Sequence, residues 1–186
     1  RVGAIDPDGA AVAYRIAGGA DAALFTIDQA TGDLRFAAAP DHESPLDADG
    51  DNVYEVEVSA NDGNNADTQR IAVTVTNRNE APAFAPETPA GATVEEGARS
   101  VLTLSAGDPD SDGLTFTLGG EDAGLFVLDA ITGELRVASA PDFEAPGDSD
   151  GDNVYQLEVR VGDGEFTAVR QLAVTVSNVN EGVSFT

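Results

Sequence analysis

The chain has 186 residues, with 34 acidic against nine basic side chains and a formal net charge of −25. That balance excludes the basic footprint of a nucleic-acid binder and any attraction to anionic membrane surfaces. A hydrophobic content of 41% supports packed cores and argues against a disordered acidic tail, and the lack of Cys rules out disulfides and thiolate metal sites. In chain order, strict alternation first appears in "YEVEVSA", where Tyr54, Val56, Val58 and Ala60 share one face and Glu55, Glu57 and Ser59 the other. "RIAVTVTN" repeats it with Ile71, Val73 and Val75; a period of two means half-buried strands. "ATVEE", "SVLTLSA", "LTFTL", "LFVLD" and "ELRVA" follow, then the counterpart of "YEVEVSA" at Tyr155 and finally "QLAVTVSN" with Leu172, Val174 and Val176. Turn residues separate them in "DPDSDG", "GGEDAG", "ITG", "APGDSDG" and "VGDG". "DAAL" and "DAGL" each allow one helical turn. No apolar run approaches the ~20 residues of a transmembrane helix, and no signal-peptide pattern is visible.

The chain repeats itself. Phe25 aligns with Phe126, Pro40 with Pro141, Tyr54 with Tyr155 and Glu80 with Glu181, each 101 residues apart. Leu24–Ser59 and Leu125–Arg160 share 22 of 36 residues, which excludes chance. A period near 100 is a whole small domain rather than a solenoid unit. Seven short strands per ~100 residues predict an all-β chain of tandem seven-stranded, immunoglobulin-like Greek-key sandwiches. The expected boundaries are 1–79 for the first repeat, 80–180 for the second, and 181–186 for a linker entering a third. "AIDPDG" aligns with "AGDPDS" at 106–111, so the first repeat lacks its first strand and part of its second. With Arg1 at its start and no Met, the chain is expected to be a processed product or an internal piece that continues both ways.

The acids concentrate at strand ends: "EE" near the first strand, "DPD" after the second, "PDHE" or "PDFE" mid-repeat, and "NDG" or "GDG" after the sixth. A further cluster sits at each repeat boundary, "NRNEAPAF" and "NVNEGVSF". Loops of a sandwich gather at its two ends, and strand parity sends "DPD" and "GDG" to one end, "DFE" and the outgoing boundary to the other. Stacked repeats are therefore expected to pool carboxylates. An all-oxygen donor set favours a hard cation, and Ca²⁺, with six to eight oxygen ligands, suits it best.

These motifs, in this order, resemble tandem cadherin repeats, particularly the bacterial cadherin-like repeats of large surface and adhesin proteins. The resemblance rests on "VEEG" at 94–97, "DPD" at 6–8 and 108–110, and the pattern F-x-[IL]-D-x-x-[TS]-G-x-[LI] at Phe25–Leu34 and Phe126–Leu135. It rests equally on "DHE" and "DFE" in place of Asp-Arg-Glu and on "NRNEAPAF" as the junction. It implies Ca²⁺ ligands at the central junction from Asp41, Glu43, Asn77, Asn79 and Glu80, joined by Asp108, Asp110 and Asp163. The outgoing junction would use Glu95 or Glu96, Asp142, Glu144, Asn178, Asn180 and Glu181, and the incoming one Asp6, Asp8 and Asp62. Asn77, Glu80 and Ala81 depart from the family pattern, and Val183 stands where the first junction has Pro82, so two or three ions per junction are expected. Function then reads as a non-enzymatic, Ca²⁺-rigidified extracellular segment whose partners are its neighbouring repeats. The alternatives are a module recognising polysaccharide or a like repeat, or a subunit of a surface filament.

Two acidic loops stand apart: "DADGDN", with Asp47, Asp49 and Asp51, and "DSDGDN", with Asp148, Asp150 and Asp152. An EF-hand is excluded, because Gly comes at the fourth position, no bidentate Glu follows and the flanks are strands. An extra Ca²⁺ contact and a solvated turn both remain open. His42 is expected to face outward or pack partly rather than act as a ligand, and the Tyr and Phe residues to fill strand cores.

Overall fold

The computed structural model describes residues 1–182; residues 183–186, Val183 among them, lie outside the described residues. The chain forms two compact units, the first Arg1–Arg78 and the second beginning at Asn79. Apart from one short 3₁₀ turn in each, the regular elements of both are strands.

The second unit holds the more complete sandwich. Its strands are β6 (Ala83–Phe84), β7 (Gly91–Glu95), β8 (Ser100–Thr103), β9 (Ala106–Gly107), β10 (Thr115–Gly119), β11 (Phe126–Leu128), β12 (Glu134–Val137), β13 (Val154–Gly162) and β14 (Thr167–Ser177). One sheet runs β10-β13-β14-β7 and the other β11-β12-β8, with a two-residue pair β6-β9 beside them. The seven expected strands are present; β6 and β9 are too short for alternation to reveal. β7 lies parallel to β14, with Val94 opposite Val176, while β13 and β14 form a long antiparallel hairpin. Alternation decides which side chains meet. Leu157, Val159 and Val161 of β13 and Leu172, Val174 and Val176 of β14 all face inward and are at most 2% exposed. They pack on Phe126, Leu135 and Val137 of the opposite sheet. At roughly 1.5–3 kcal/mol per fully buried aliphatic side chain, this layer is what drives the sandwich together.

The first unit comprises β1 (Ala13–Gly18), β2 (Phe25–Ile27), β3 (Leu34–Phe36), β4 (Val53–Asn61) and β5 (Ala66–Thr74). Its sheets, β1-β4-β5 and β2-β3, reproduce the second unit without counterparts of β7 and β8. The core responds accordingly. Phe25, Tyr54, Val56 and Val58 are buried, but Ile71, Val73 and Val75 are covered only in part, whereas their equivalents Leu172, Val174 and Val176 are fully enclosed.

Two local devices shape the acid-bearing ends. The first lies in the turn between β11 and β12, where Asp129 Oδ1 accepts the amides of Ile131 and Thr132 at 3.0 and 2.8 Å. Gly133 there has φ +70°, and a Cβ on it would stand 2.5 Å from the Leu104 carbonyl oxygen, which is why the family-like motif requires Gly. Asp28 does the same for Ala30 and Thr31. The second device is a buried carboxylate at each short 3₁₀ turn, Ala22–Leu24 and Ala123–Leu125. Asp21 is 4% exposed and accepts the amides of Ala48 and Glu55 at 2.7 and 2.6 Å. Asp122, 3% exposed, accepts those of Ser149 and Gln156 at 2.9 and 2.7 Å. Each ties the loop before the long strand back onto the sandwich. The helical turns were expected; the staples they carry were not. Tyr54 and Tyr155 fill cores as expected and also accept the amides of Leu46 and Gly147 on their hydroxyls. Phe166 departs from expectation: it sits in the β13–β14 turn, 37% exposed, because no strand face receives it.

Candidate metal centre

Hairpin β13–β14 and the loop after β9 bring acids to one end of the second unit. Asn79 Nδ2 donates to Asp163 Oδ2 at 3.1 Å and to Glu165 Oε2 at 3.4 Å. The Glu80 amide donates to Asp110 Oδ2 at 2.8 Å, and the Asp110 amide to Asp108 Oδ1 at 2.9 Å. Five expected ligands thus fall into two sets that adjoin at the Asn79–Glu80 peptide: Asn79 with Asp163, and Asp108 with Asp110 and the backbone of Glu80. Glu165, next to "GDG", joins the first set and was not expected. Burial opposes the charge on Asp163, but the amides of Phe166 and Glu165 and the Asn79 side chain outweigh it and hold the carboxyl below its usual range. The Oδ1 of Asn79 and Oδ2 of Asp108 are buried without a hydrogen-bond donor. Native interiors rarely leave such acceptors bare, and an oxygen-seeking cation fits them.

The opposite end of the unit is organised by β7 and β14. One carboxylate oxygen from each of Glu96, Asp142 and Glu144 lies within 4.8 Å of the others. Glu96 accepts the Phe143 amide at 3.0 Å and also that of Val179; these donors, Val179 first, hold its carboxyl below the usual range. Asn178 Nδ2 donates to Glu144 Oε1 at 2.6 Å, and Asp142 Oδ1 accepts the Glu144 amide at 3.0 Å. Of the alternatives Glu95 and Glu96, Glu96 turns into this group, while Glu95 at the end of β7 is exposed. Asn180 and Glu181 are exposed and are not drawn into it.

The first unit repeats both ends in outline. Asp6 Oδ1 accepts the amides of Asp8 and Ala10 at 2.7 and 3.1 Å. Asp62 Oδ1 accepts those of Asn65 and Asn64, which, with Asp6 nearby, lower its pKa. "DPD" and "NDG" therefore meet at one end, as parity requires. At the other, Asp41 Oδ1 accepts the Glu43 amide at 3.1 Å, and His42 Nδ1 lies 3.0 Å from Glu43 Oε1. His42 is partly packed, as expected, but its ring touches a candidate ligand, which the sequence did not reveal. Asn77 is exposed and joins no group.

Residues 1–76 match the family model described as "Cadherin domain". Human "Protocadherin-16" is 31% identical over 202 residues, covering 96% of this chain but 6% of the relative. Human "Cadherin EGF LAG seven-pass G-type receptor 3" is 33% identical over 175 residues, 84% of this chain and 5% of the relative. The chain thus spans about a twentieth of these proteins. They are animal proteins and do not support the resemblance to bacterial repeats in particular. The fold matches the crystal structure of human protocadherin-24 EC1-2 with a TM-score of 0.64 over 94% of this chain and 86% of that one, at 19% identity. Both sandwiches are therefore cadherin-type in fold.

Proposed function

We propose that the chain is a pair of cadherin repeats from a larger cell-surface adhesion or structural protein, and that Ca²⁺ binds its strand-end acids. The carrying observation is the convergence of Glu96, Asp142 and Glu144 oxygens from two separate segments of the second sandwich. The donorless oxygens of Asn79 and Asp108 support it from the other end. In this reading Asp6, Asp8 and Asp62 serve an incoming junction, and Asp41, Glu43 and Asn77 join Asn79, Glu80, Asp108, Asp110 and Asp163 at the central one. Glu96, Asp142, Glu144 and Asn178, with Asn180 and Glu181, serve the outgoing one. Bound there, Ca²⁺ supplies the positive charge that turns repelling carboxylates into shared ligands. The chain's own part is to hold those oxygens ready: backbone amides fix Glu96, Asp142 and Asp163 in place, and Asn79 and Asn178 orient the carboxylates they touch.

Without the cation, like charges from consecutive repeats repel and the linker flexes; with it, the repeats stiffen into a spacer. Extracellular Ca²⁺ modules work at ~10⁻⁴–10⁻³ M, well above cytosolic levels, so the site belongs outside the cell. Small-angle scattering with CaCl₂ and then with chelator tests this. Chelation should shorten the particle and open the Asn77–Pro82 segment to protease; dimensions and cleavage that do not respond would reject the proposal.

A further inference from the structure

The loops before β4 and β13 contain a second kind of oxygen cluster, which shares no residue with the strand-end sets. In each, one carboxylate oxygen from each of three aspartates lies within 4.8 Å of the others: Asp47, Asp49 and Asp51 in one unit, Asp148, Asp150 and Asp152 in the other. A solvated turn would leave all three carboxylates in water. Here Asp49, Asp51, Asp150 and Asp152 are exposed, yet Asp47 and Asp148 are each only 8% exposed. Asp47 turns one oxygen to the chain, its Oδ2 accepting the Asp51 amide at 2.8 Å, while its Oδ1 is buried with no donor at all. The neighbouring Asn52 and Asn153 likewise bury a side-chain carbonyl oxygen that no group donates to, and Asn153 as a whole is 8% exposed. Among the described residues no ion pair reaches any of the six aspartates.

A buried acceptor without a donor is what a native fold avoids unless something fills it. Backbone donors are already committed: the Val53 amide goes to Asp51 Oδ1 and the Val154 amide to Asp152 Oδ1. What the loop lacks is positive charge. The donors are all oxygen, one anchored carboxylate flanked by two that reach from solvent, which selects a hard cation over Zn²⁺ or Cu²⁺. With few protein ligands and open access, water must complete the shell, as Ca²⁺ tolerates. The carboxylate triad occurs twice, in two units that fold around separate cores, but the bare oxygen differs: Asp148 gives Oδ2 to the Asp152 amide and Oδ1 to that of Asn153 at 3.3 Å, and the buried oxygen left without a donor there is Asn153 Oδ1. Each loop is held in place by its own buried staple, Asp21 or Asp122.

We propose that each unit carries an intradomain Ca²⁺ site in this loop, with Asp47, Asp49 and Asp51 as ligands in the first and Asp148, Asp150 and Asp152 in the second. The site does not rest on the strand-end reading and survives if that reading fails. The test is a CaCl₂ titration of the ¹⁵N-labelled chain, following the amides of Gly50 and Gly151 in the loops and of Gly97 beside Glu96. Saturable shifts of Gly50 and Gly151 in the range ~10⁻⁴–10⁻² M are expected, whether or not Gly97 moves. Calorimetry on a variant carrying Asp49→Asn, Asp51→Asn, Asp150→Asn and Asp152→Asn should then count two fewer ions than the unaltered chain. Loop amides that stay still, or drift linearly without saturating, overturn the proposal, as does an unchanged ion count. Should the variant not fold, the titration of the unaltered chain decides alone.

Discussion

Single side chains do unequal work in these sandwiches, and the buried aspartates do the most. Asp122 satisfies two backbone amides with one carboxylate. Asp122→Ala strands both and should cost about 2 kcal/mol or more of the second unit's stability, measured by denaturant unfolding. Gly133→Ala places a Cβ against the Leu104 carbonyl at φ +70° and should cost more than about 1 kcal/mol. Asp129 supplies a pH dependence outside the candidate metal ligands. The amides of Thr132 and Ile131 lower its pKa from the ordinary 3.8. A group whose folded pKa is depressed stabilises the fold above the unfolded value and loses that contribution as pH falls through the folded one. The melting temperature of the unaltered chain should therefore exceed that of Asp129→Asn at pH 6, and the gap should close as pH drops below about 3.8. A gap independent of pH would show that the charge does nothing there.

At the scale of elements, the long hairpins carry the stability. Leu157 is 1% exposed at the centre of β13, and Leu157→Ala should cost about 2–5 kcal/mol. Val174→Ala should cost more than Val73→Ala at the equivalent position of β5, because β7 beside β14 and β8 in the facing sheet help enclose the former and have no counterpart in the first unit. Much of this was legible. Alternation in "YEVEVSA" and "QLAVTVSN" anticipated β4 and β14 and the inward Tyr54, Val56, Val58, Leu172, Val174 and Val176, but it grouped Ser59 with the outer glutamates, and Ser59 is fully buried. Parity sorted the acid clusters correctly, since "NDG" meets "DPD" and Glu144 meets Asn178. What stayed hidden has physical causes. β6 and β9 have two residues each, too few to show a period. Asp21 and Asp122 look like turn residues, because their partners lie 27 and 34 positions away in sequence. The choice of Glu96 over Glu95 depends on which face β7 turns inward, and adjacent residues of a strand point opposite ways. Asp21 and Asp122 do recur in "GGADAALF" and "GGEDAGLF", but so do the flanking Gly, Ala, Leu and Phe, so recurrence alone does not single them out.

For the whole molecule, Ca²⁺ binding as proposed would couple folding to the cation in a chain with a formal charge of −25. Anything that binds the folded state alone stabilises it by mass action, and at 10 mM Ca²⁺ a site with a Kd of ~10⁻⁴–10⁻³ M adds about 1.4–2.7 kcal/mol. Melting temperature should therefore rise with Ca²⁺ and fall on chelation, by more than an equal ionic strength of NaCl produces, since screening acts on every exposed charge alike. Titration calorimetry with CaCl₂ on the unaltered chain, beside a variant with Glu96→Gln, Asp108→Asn, Asp110→Asn and Glu144→Gln, addresses the strand-end acids themselves. Saturable binding in the range ~10⁻⁴–10⁻³ M, with fewer ions bound by the variant, is the expected result. A variant that binds as many ions as the unaltered chain, with the same affinity, would contradict it.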